Sequence, residues 1–309
     1  LKYLRGDRTK EASLSNLTLP FRQRASRLGD IVNSDPQLIH RQDFNYDHLG
    51  WIDGSVDVGD AYAAFRASTP YLNRKPLIVV GANDGMLHGF DASISATPSL
   101  NGGKELFAYA PTAVFSNLIK LTEPNYQHRY YVDGTPRVAD AWLGSATGWK
   151  TLAIGTTGAG GKSVFALDIT DPSNMTASNV KWEFSHPKMG YTIGQAALVA
   201  LPNEKFGVIV TSGYHNTAPA DGRVWLLDAA NGSIIKEFTL PTIGGLGAPL
   251  AADINYDEVA DRIYVGDTLG NLWRLDLPTS NTASWGIPAS LGTAPLFIAK
   301  DASGNRQAI

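Results

Sequence analysis

Apolar and polar positions along this chain fall into a unit that recurs four times. A short apolar run is followed by a Gly-rich polar break, then by a second apolar run closed by aspartate. The four copies are "LIVVGANDGMLHGFDA" (77–92), "TLAIGTTGAGGKSVFALDI" (151–169), "GVIVTSGYHNTAPADGRVWLLDAANG" (207–232) and "DRIYVGDTLGNLWRLDL" (261–277). Their closing residues are Asp91, Asp168, Asp228 and Asp276. Runs rich in Val, Ile, Leu and Trp, broken by "NDG", "GAGG", "DG" or "GN", predict a β-hairpin in each copy. An outer strand is expected after three of them, in "KELFAYA", "VKWEFS" and "SIIKEFTL". From the second copy on, an apolar segment also precedes the hairpin, as in "TPRVADAWL", "GQAALVAL" and "GAPLAADI".

Four short strands per repeat with irregular spacing fit the blades of a β-propeller better than a sandwich, and solenoids keep tighter periods. The predicted fold is therefore all-β, one propeller-type domain over residues 1–309. The final "APLFIAKDASGNRQAI" is expected to open a further blade. The chain starts without Met and stops inside "RQAI", so it reads as a fragment whose last blades are incomplete. Two stretches break the strand pattern and predict short helical insertions. They are "DVGDAYAAFRAS" (57–68), with Asp60 as the expected N-cap, and "PTAVFSNLIKL" (111–121), opened by proline.

Composition narrows the function classes. With 309 residues, 43% of them hydrophobic and 18% charged, the chain can bury a large core. A net charge of −3 without a basic stripe argues against nucleic acid as a partner. The absence of cysteine excludes disulfides, thiolate metal sites and cysteine nucleophiles. No apolar run approaches a membrane span, and "LKYLRGDRTKE" is not a signal peptide. The stretch "GTTGAGGKS" (155–163) resembles a phosphate loop, but Thr156 stands where the first Gly belongs and a strand pattern follows, so a hairpin turn is expected. The histidines His40, His48, His88, His128, His186 and His215 are scattered, and neither a "GxSxG" elbow nor a marked acid/base carboxylate pair is present.

One cluster does suggest a ligand. In "DINYDEVADRIYVGD" (253–267), Asp253, Asn255 and Asp257 alternate and Asp261 follows. Calcium takes six to eight oxygens, and a loop supplies them from alternate residues plus one inward carbonyl. With Asp253 as the first position, Asn255 is third, Asp257 fifth, the Val259 carbonyl seventh and Asp261 ninth. Glu258 occupies the glycine position and Tyr264 that of the bidentate glutamate, so the motif is a shortened loop between strands. An Asx-rich turn without metal is the alternative reading. "DFNYDHLGWID" (43–53) repeats the start with Asp43, Asn45 and Asp47, but Trp51 replaces the ninth acid, which makes a turn the expectation. Arg5, Gly6 and Asp7 form the tripeptide read by integrins, a match short enough to arise by chance.

Taken together, "YLRGD", "LGDIVNSDP" (28–36), "VVGANDGMLHGFDA" and "DINYDEVADRIYVGDTLGNLWRLDL" resemble the C-terminal domain of the PilY1/PilC family, from residue 3 to the end. The resemblance implies a modified β-propeller related to quinoprotein dehydrogenases. It implies a non-enzymatic type IV pilus biogenesis factor and tip-associated adhesin, at the periplasm, outer membrane or cell surface, with pilins or minor pilins as partners. It implies Ca2+ held by Asp253, Asn255, Asp257, Val259 and Asp261, with occupancy governing pilus extension, retraction and twitching motility. It also links an RGD near the domain start to a host-cell receptor in some members. Two rivals stand beside this reading. One is a dehydrogenase using pyrroloquinoline quinone on the same fold, disfavoured because many such enzymes carry adjacent cysteines. The other is a structural scaffold with no ion, indifferent to chelators.

Overall fold

The computed structural model describes residues 1–309 except 14, 15, 17, 96, 98–101, 215–220 and 243. The tip of the third predicted hairpin, with His215, lies outside the described residues.

Strand β1 (Gln37–Ile39) is followed by an insertion that carries β2 (Ile52–Asp53), β3 (Val56–Asp57), α1 (Val58–Ala67) and α2 (Thr69–Asn73). The chain then enters β4 (Leu77–Ala82), β5 (Met86–Asp91) and β6 (Glu105–Tyr109), which with β1 form an antiparallel sheet in the order β1-β4-β5-β6. After α3 (Phe115–Leu118), flanked by 3-10 turns, come β7 (Arg137–Trp142), β8 (Trp149–Thr156), β9 (Val164–Asp168) and β10 (Val180–Phe184). The third sheet holds β11 (Ala197–Leu201), β12 (Lys205–Thr211), β13 (Gly222–Asp228) and β14 (Ile234–Leu240). The fourth holds β15 (Leu250–Ala252), β16 (Arg262–Gly266), β17 (Asn271–Asp276) and β18 (Phe297–Ile298). Each is a four-stranded antiparallel sheet whose strands follow one another in sequence.

The sequence pattern follows from how these sheets stack. Side chains alternate between the two faces of a strand. In the second sheet Val138, Ala153, Phe165 and Leu167 join the apolar layer shared with the first. Their neighbours Ala139, Leu152, Ile154 and Ala166 join the layer shared with the third. A sheet covered on both faces gives near-continuous apolar runs, hence "TLAI" and "VFAL". In the fourth sheet Ile263, Val265, Trp273 and Leu275, with half-buried Ala251, face a neighbour, and β16 and β17 alternate buried with half-buried positions. Where strands come closest, an aromatic ring covers a glycine. A Cβ on Gly155 would stand 2.3 Å from the ring of Phe165, its cross-strand partner.

The closing aspartates have a shared structural role. Each pairs with a cation at or near the start of its hairpin's first strand: Lys75 with Asp91, Lys150 with Asp168 at 3.6 Å, Lys205 with Asp228 at 2.7 Å, and Arg262 with Asp276 at 3.8 Å. In the first three sheets the carboxylate also accepts the N–H two residues on, from Ser93, Thr170 and Ala230, which turns the chain out of the strand. Burial works against the Asp91 charge, yet Lys75 and Ser93 outweigh it and hold the carboxyl at about 2.

Several expectations are corrected. Asp57, not Asp60, caps α1, accepting the Asp60 N–H at 3.0 Å, so Asp60 sits inside the first turn. The segment opened by Pro111 is α-helical only over α3, between 3-10 turns. The first hairpin does have a preceding strand, β1, separated from it by the insertion. The tail does not open a new sheet: Phe297 and Ile298 pair with Leu272 and Asn271 as the outer strand of the fourth.

The insertion is bound to the second and third sheets. Tyr46 stacks on Trp149 with centroids 5.4 Å apart and meets Phe206 edge-on at 4.9 Å. Beneath it, fully buried Asp140 accepts hydrogen bonds from the hydroxyls of Tyr62 (3.2 Å), Tyr71 (3.4 Å) and Thr151 (2.5 Å). Arg74 in turn donates to the Thr151 hydroxyl at 2.6 Å. Burial raises the Asp140 carboxyl above its ordinary value against the pull of these donors, and burial lowers the Arg74 guanidinium.

Candidate metal centre

The loop over residues 253–261 joins β15 to β16 and is closed at its neck, where Ala252 pairs with Arg262 and Asp261 donates its N–H to the Ala252 carbonyl at 3.0 Å. Within it the alternate spacing makes a staircase of side-chain-to-backbone turns. Asp253 accepts from the N–H groups of Asn255 (3.1 Å), Tyr256 (2.7 Å) and Glu258 (2.8 Å). Asn255 accepts from Asp257 N–H at 3.2 Å, and Asp257 from Val259 N–H at 2.9 Å. Asp261 accepts the Ile254 N–H at 2.7 Å, closing the ring of contacts. Asp and Asn suit this pattern because their short side chains reach backbone two residues ahead.

Two non-glycine residues, Tyr256 (φ 65°) and Glu258 (φ 66°), hold left-handed backbone here. Glu258 therefore adopts the conformation for which calcium loops use glycine at their sixth position. Tyr256 projects outward, 89% exposed. Val259 turns inward against the apolar layer that includes Tyr46 and Phe206, and Ala260 donates its N–H to the carbonyl of Ala200 in β11 at 2.9 Å. The loop thus belongs to the fourth sheet and docks on the third. Tyr264 lies in β16 between Leu250 and Arg274, and so does not curl back toward the loop as a twelfth-position ligand does.

The donor set fits a hard cation. A carboxylate offers about four acceptor sites, and the loop's own donors use only some: three at Asp253, two at Asp257 and one at Asp261. Asp253, Asn255, Asp257 and Asp261 with the Val259 carbonyl would hold calcium through oxygen alone. In this conformation the acids turn to their own backbone. Among the described residues no group of three or more His, Cys, Asp or Glu side chains is gathered for an ion.

The other singled-out stretches resolve differently. Asp43 accepts the Asn45 N–H at 3.0 Å and pairs with Arg66 at 2.6 Å, so a guanidinium already answers that carboxylate in a turn. Gly155 and Thr156 end β8, and residues 157–163 form the hairpin turn to β9. Arg5, Gly6 and Asp7 lie in a tight turn with Gly6 at φ 88°, Arg5 exposed, and Asp7 accepting the Thr9 N–H at 2.8 Å.

Sequence reading missed a buried imidazole. His88, 3% exposed, faces Glu105 through Nδ1 at 2.6 Å and Asp84 through Nε2 at 3.0 Å. Burial opposes its charge, but the two carboxylates outweigh burial and raise its pKa. The i,i+4 spacing of Asp84 and His88 was visible; Glu105 reaches the site only through β5–β6 pairing.

Four antiparallel, sequentially ordered blades stacked face to face through apolar layers define a β-propeller domain. The family model for the PilY1 beta-propeller domain matches residues 28–309, and this chain belongs to that family. It is 37% identical over 333 residues to the type IV pilus biogenesis factor PilY1 homolog of Xylella fastidiosa, covering 100% of this chain and 21% of that protein. It is 38% identical over 331 residues to the type IV pilus biogenesis factor PilY1 of Pseudomonas aeruginosa strain PAK, covering 99% and 26%. The crystal structure of the Pseudomonas aeruginosa PilY1 C-terminal domain superposes with a TM-score of 0.65 at 35% identity, over 80% of this chain and 50% of that one. The chain thus spans about a quarter or less of the curated relatives it matches. Among the described residues no helix is long and apolar enough to cross a membrane.

Proposed function

We propose that this chain is the propeller domain of a type IV pilus biogenesis factor and works without catalysis, as a calcium-responsive switch. The observation that carries the reading is the loop 253–261 in a member of this family: five alternate oxygen donors, with Glu258 in the backbone conformation of a calcium loop's glycine. When the loop is empty, Asp253, Asp257 and Asp261 repel one another. A divalent ion neutralises them and tightens a loop whose Val259 and Ala260 rest on the third blade. Ligand binding shifts a conformational equilibrium only by its differential affinity for the two states. Contact with Ala200 and with the layer around Tyr46 and Phe206 supplies a route for that difference.

In this reading calcium occupancy sets the balance of pilus extension and retraction, and with it twitching motility, at the periplasm, outer membrane or pilus tip. The partners are pilins or minor pilins. Surface attachment, including contact with a host-cell receptor, rests on a separate element, the exposed Arg5 in its Gly6 turn. The quinone-dehydrogenase reading is not favoured, since the relatives are named as biogenesis factors and the chain has no cysteine.

The test is genetic. Cells lacking the gene for the full-length protein are complemented with wild type or Asp257→Ala, and surface pili and twitching zones are scored. The reading expects normal protein levels with altered piliation and reduced twitching in the variant. Wild-type motility from Asp257→Ala would contradict it.

A further inference from the structure

A cleft of about 170 Å3 opens where the N-terminal segment crosses the β4–β5 turn of the first blade, lined by Arg22, Arg24, Arg27, Asp30, Asp84 and Tyr126 among others. Three guanidinium groups and two carboxylates share this space, and the hydrogen bonds and ion pairs show how they are partnered.

Arg24 is buried and fully answered. It pairs with Glu11 at 2.6 Å and donates to the carbonyls of Tyr3 (2.7 Å) and Asp7 (3.1 Å). The two acids are also answered, by other groups. Asp84 takes His88 at 3.0 Å and the Gly29 N–H at 2.9 Å. Asp30 takes His128 at 2.7 Å and the Asn83 amide at 3.1 Å.

Arg22 and Arg27 remain. Arg22 spends its Nε on the Leu121 carbonyl at 3.2 Å and lies 4.0 Å from the Tyr126 ring centroid, which fixes the plane of its guanidinium. Arg27 makes no side-chain hydrogen bond or ion pair to a described residue, and its Cδ lies 3.2 Å from where a Gly6 Cβ would stand. The cleft therefore holds two guanidiniums, Arg22 and Arg27, that pair with no carboxylate among the described residues, beside Asp30 and Asp84, whose oxygens are taken up by other donors.

We propose that this cleft is a binding site for a terminal oxyanion, a carboxylate or a phosphate on a short stem, held between Arg22 and Arg27. A planar guanidinium matches such groups through two parallel N–H bonds, and stacking on Tyr126 orients the fork before the ligand arrives. The volume lies below the roughly 300–1,000 Å3 of drug-sized ligand pockets, so the site takes an anionic end group. The site lies on the first blade and is independent of the calcium loop.

The test is calorimetric titration of the 309-residue chain with succinate, with inorganic phosphate, and with uncharged succinamide. Saturable one-site binding of at least one anion, and none of succinamide, is the expected result. Succinate alone identifies a carboxylate ligand, phosphate alone a phosphate ester. Arg27→Gln, at an exposed position, should weaken binding about tenfold or more, the scale of a lost hydrogen bond to a charged group. Arg22→Lys, which keeps the charge and loses the fork, should weaken it similarly. No saturable binding of either anion in the millimolar range, or unchanged affinity in both variants, would overturn the proposal.

Discussion

Glu258 donates its backbone N–H to Asp253 at 2.8 Å from left-handed backbone, φ 66°. A non-glycine residue there carries strain of about 1–2 kcal/mol, held in place by the contacts of the loop around it. Glu258→Gly relieves the strain but adds about 0.5–1 kcal/mol of unfolded-state freedom, so urea denaturation should show a change below about 1 kcal/mol. Glu258→Val, β-branched where φ is positive, should destabilise by more than that. Equal stability of the two variants would contradict the left-handed assignment.

Asp140 and Arg74 share the Thr151 hydroxyl inside the interface that binds the helical insertion to the second blade. Removing one partner of a buried charge system leaves the other uncompensated, at a cost of about 3–5 kcal/mol. Asp140→Ala should therefore lose stability on that scale in urea unfolding. A loss below about 1 kcal/mol, the size of an ordinary surface substitution, would show that the insertion is held by its aromatic packing alone.

His88 makes the first blade sensitive to alkali. Its folded pKa is raised, so between the unfolded value of about 6.5 and the folded one the native state holds the extra proton. That stability is fully present below the unfolded value and is lost as pH rises through the folded value, leaving Asp84 and Glu105 beside a neutral ring. The melting temperature of wild type should fall over that window and that of His88→Gln should not. Asp91 acts at the other end: its carboxyl, held at about 2, contributes stability that disappears as pH falls toward that value.

Phe165 lies over Gly155, with its ring 2.3 Å from a Cβ placed there. Gly155→Ala forces the ring or the strand aside, and overpacking of this kind costs about 1–3 kcal/mol. Thermal denaturation should register the loss, and an unchanged midpoint would mean that the ring moves freely.

How much of this was legible depended on distance along the chain. The hairpins were readable because their strands and turns are contiguous, and the closing aspartates marked their ends. Strand β1 has three residues and meets β4 only across the insertion, and β18 has two, so neither shows periodicity. Asp60 precedes an apolar stretch as a cap does in sequence, whereas Asp57 has the geometry to reach forward. The oxygen donors of 253–261 were visible as a spacing. That the loop docks on Ala200 was not, since blade-to-blade contacts leave no local signature. The Asp140 cluster joins residues up to 78 positions apart, and no short window contains it.

The proposed switch rests on calcium binding by the loop 253–261. Calorimetric titration of chelator-treated protein with calcium, beside Asp257→Ala, tests it directly. One site is expected in the wild type, with affinity in the range of about micromolar to millimolar, and its loss in the variant. Binding of equal strength in both proteins, or none in either, would contradict it.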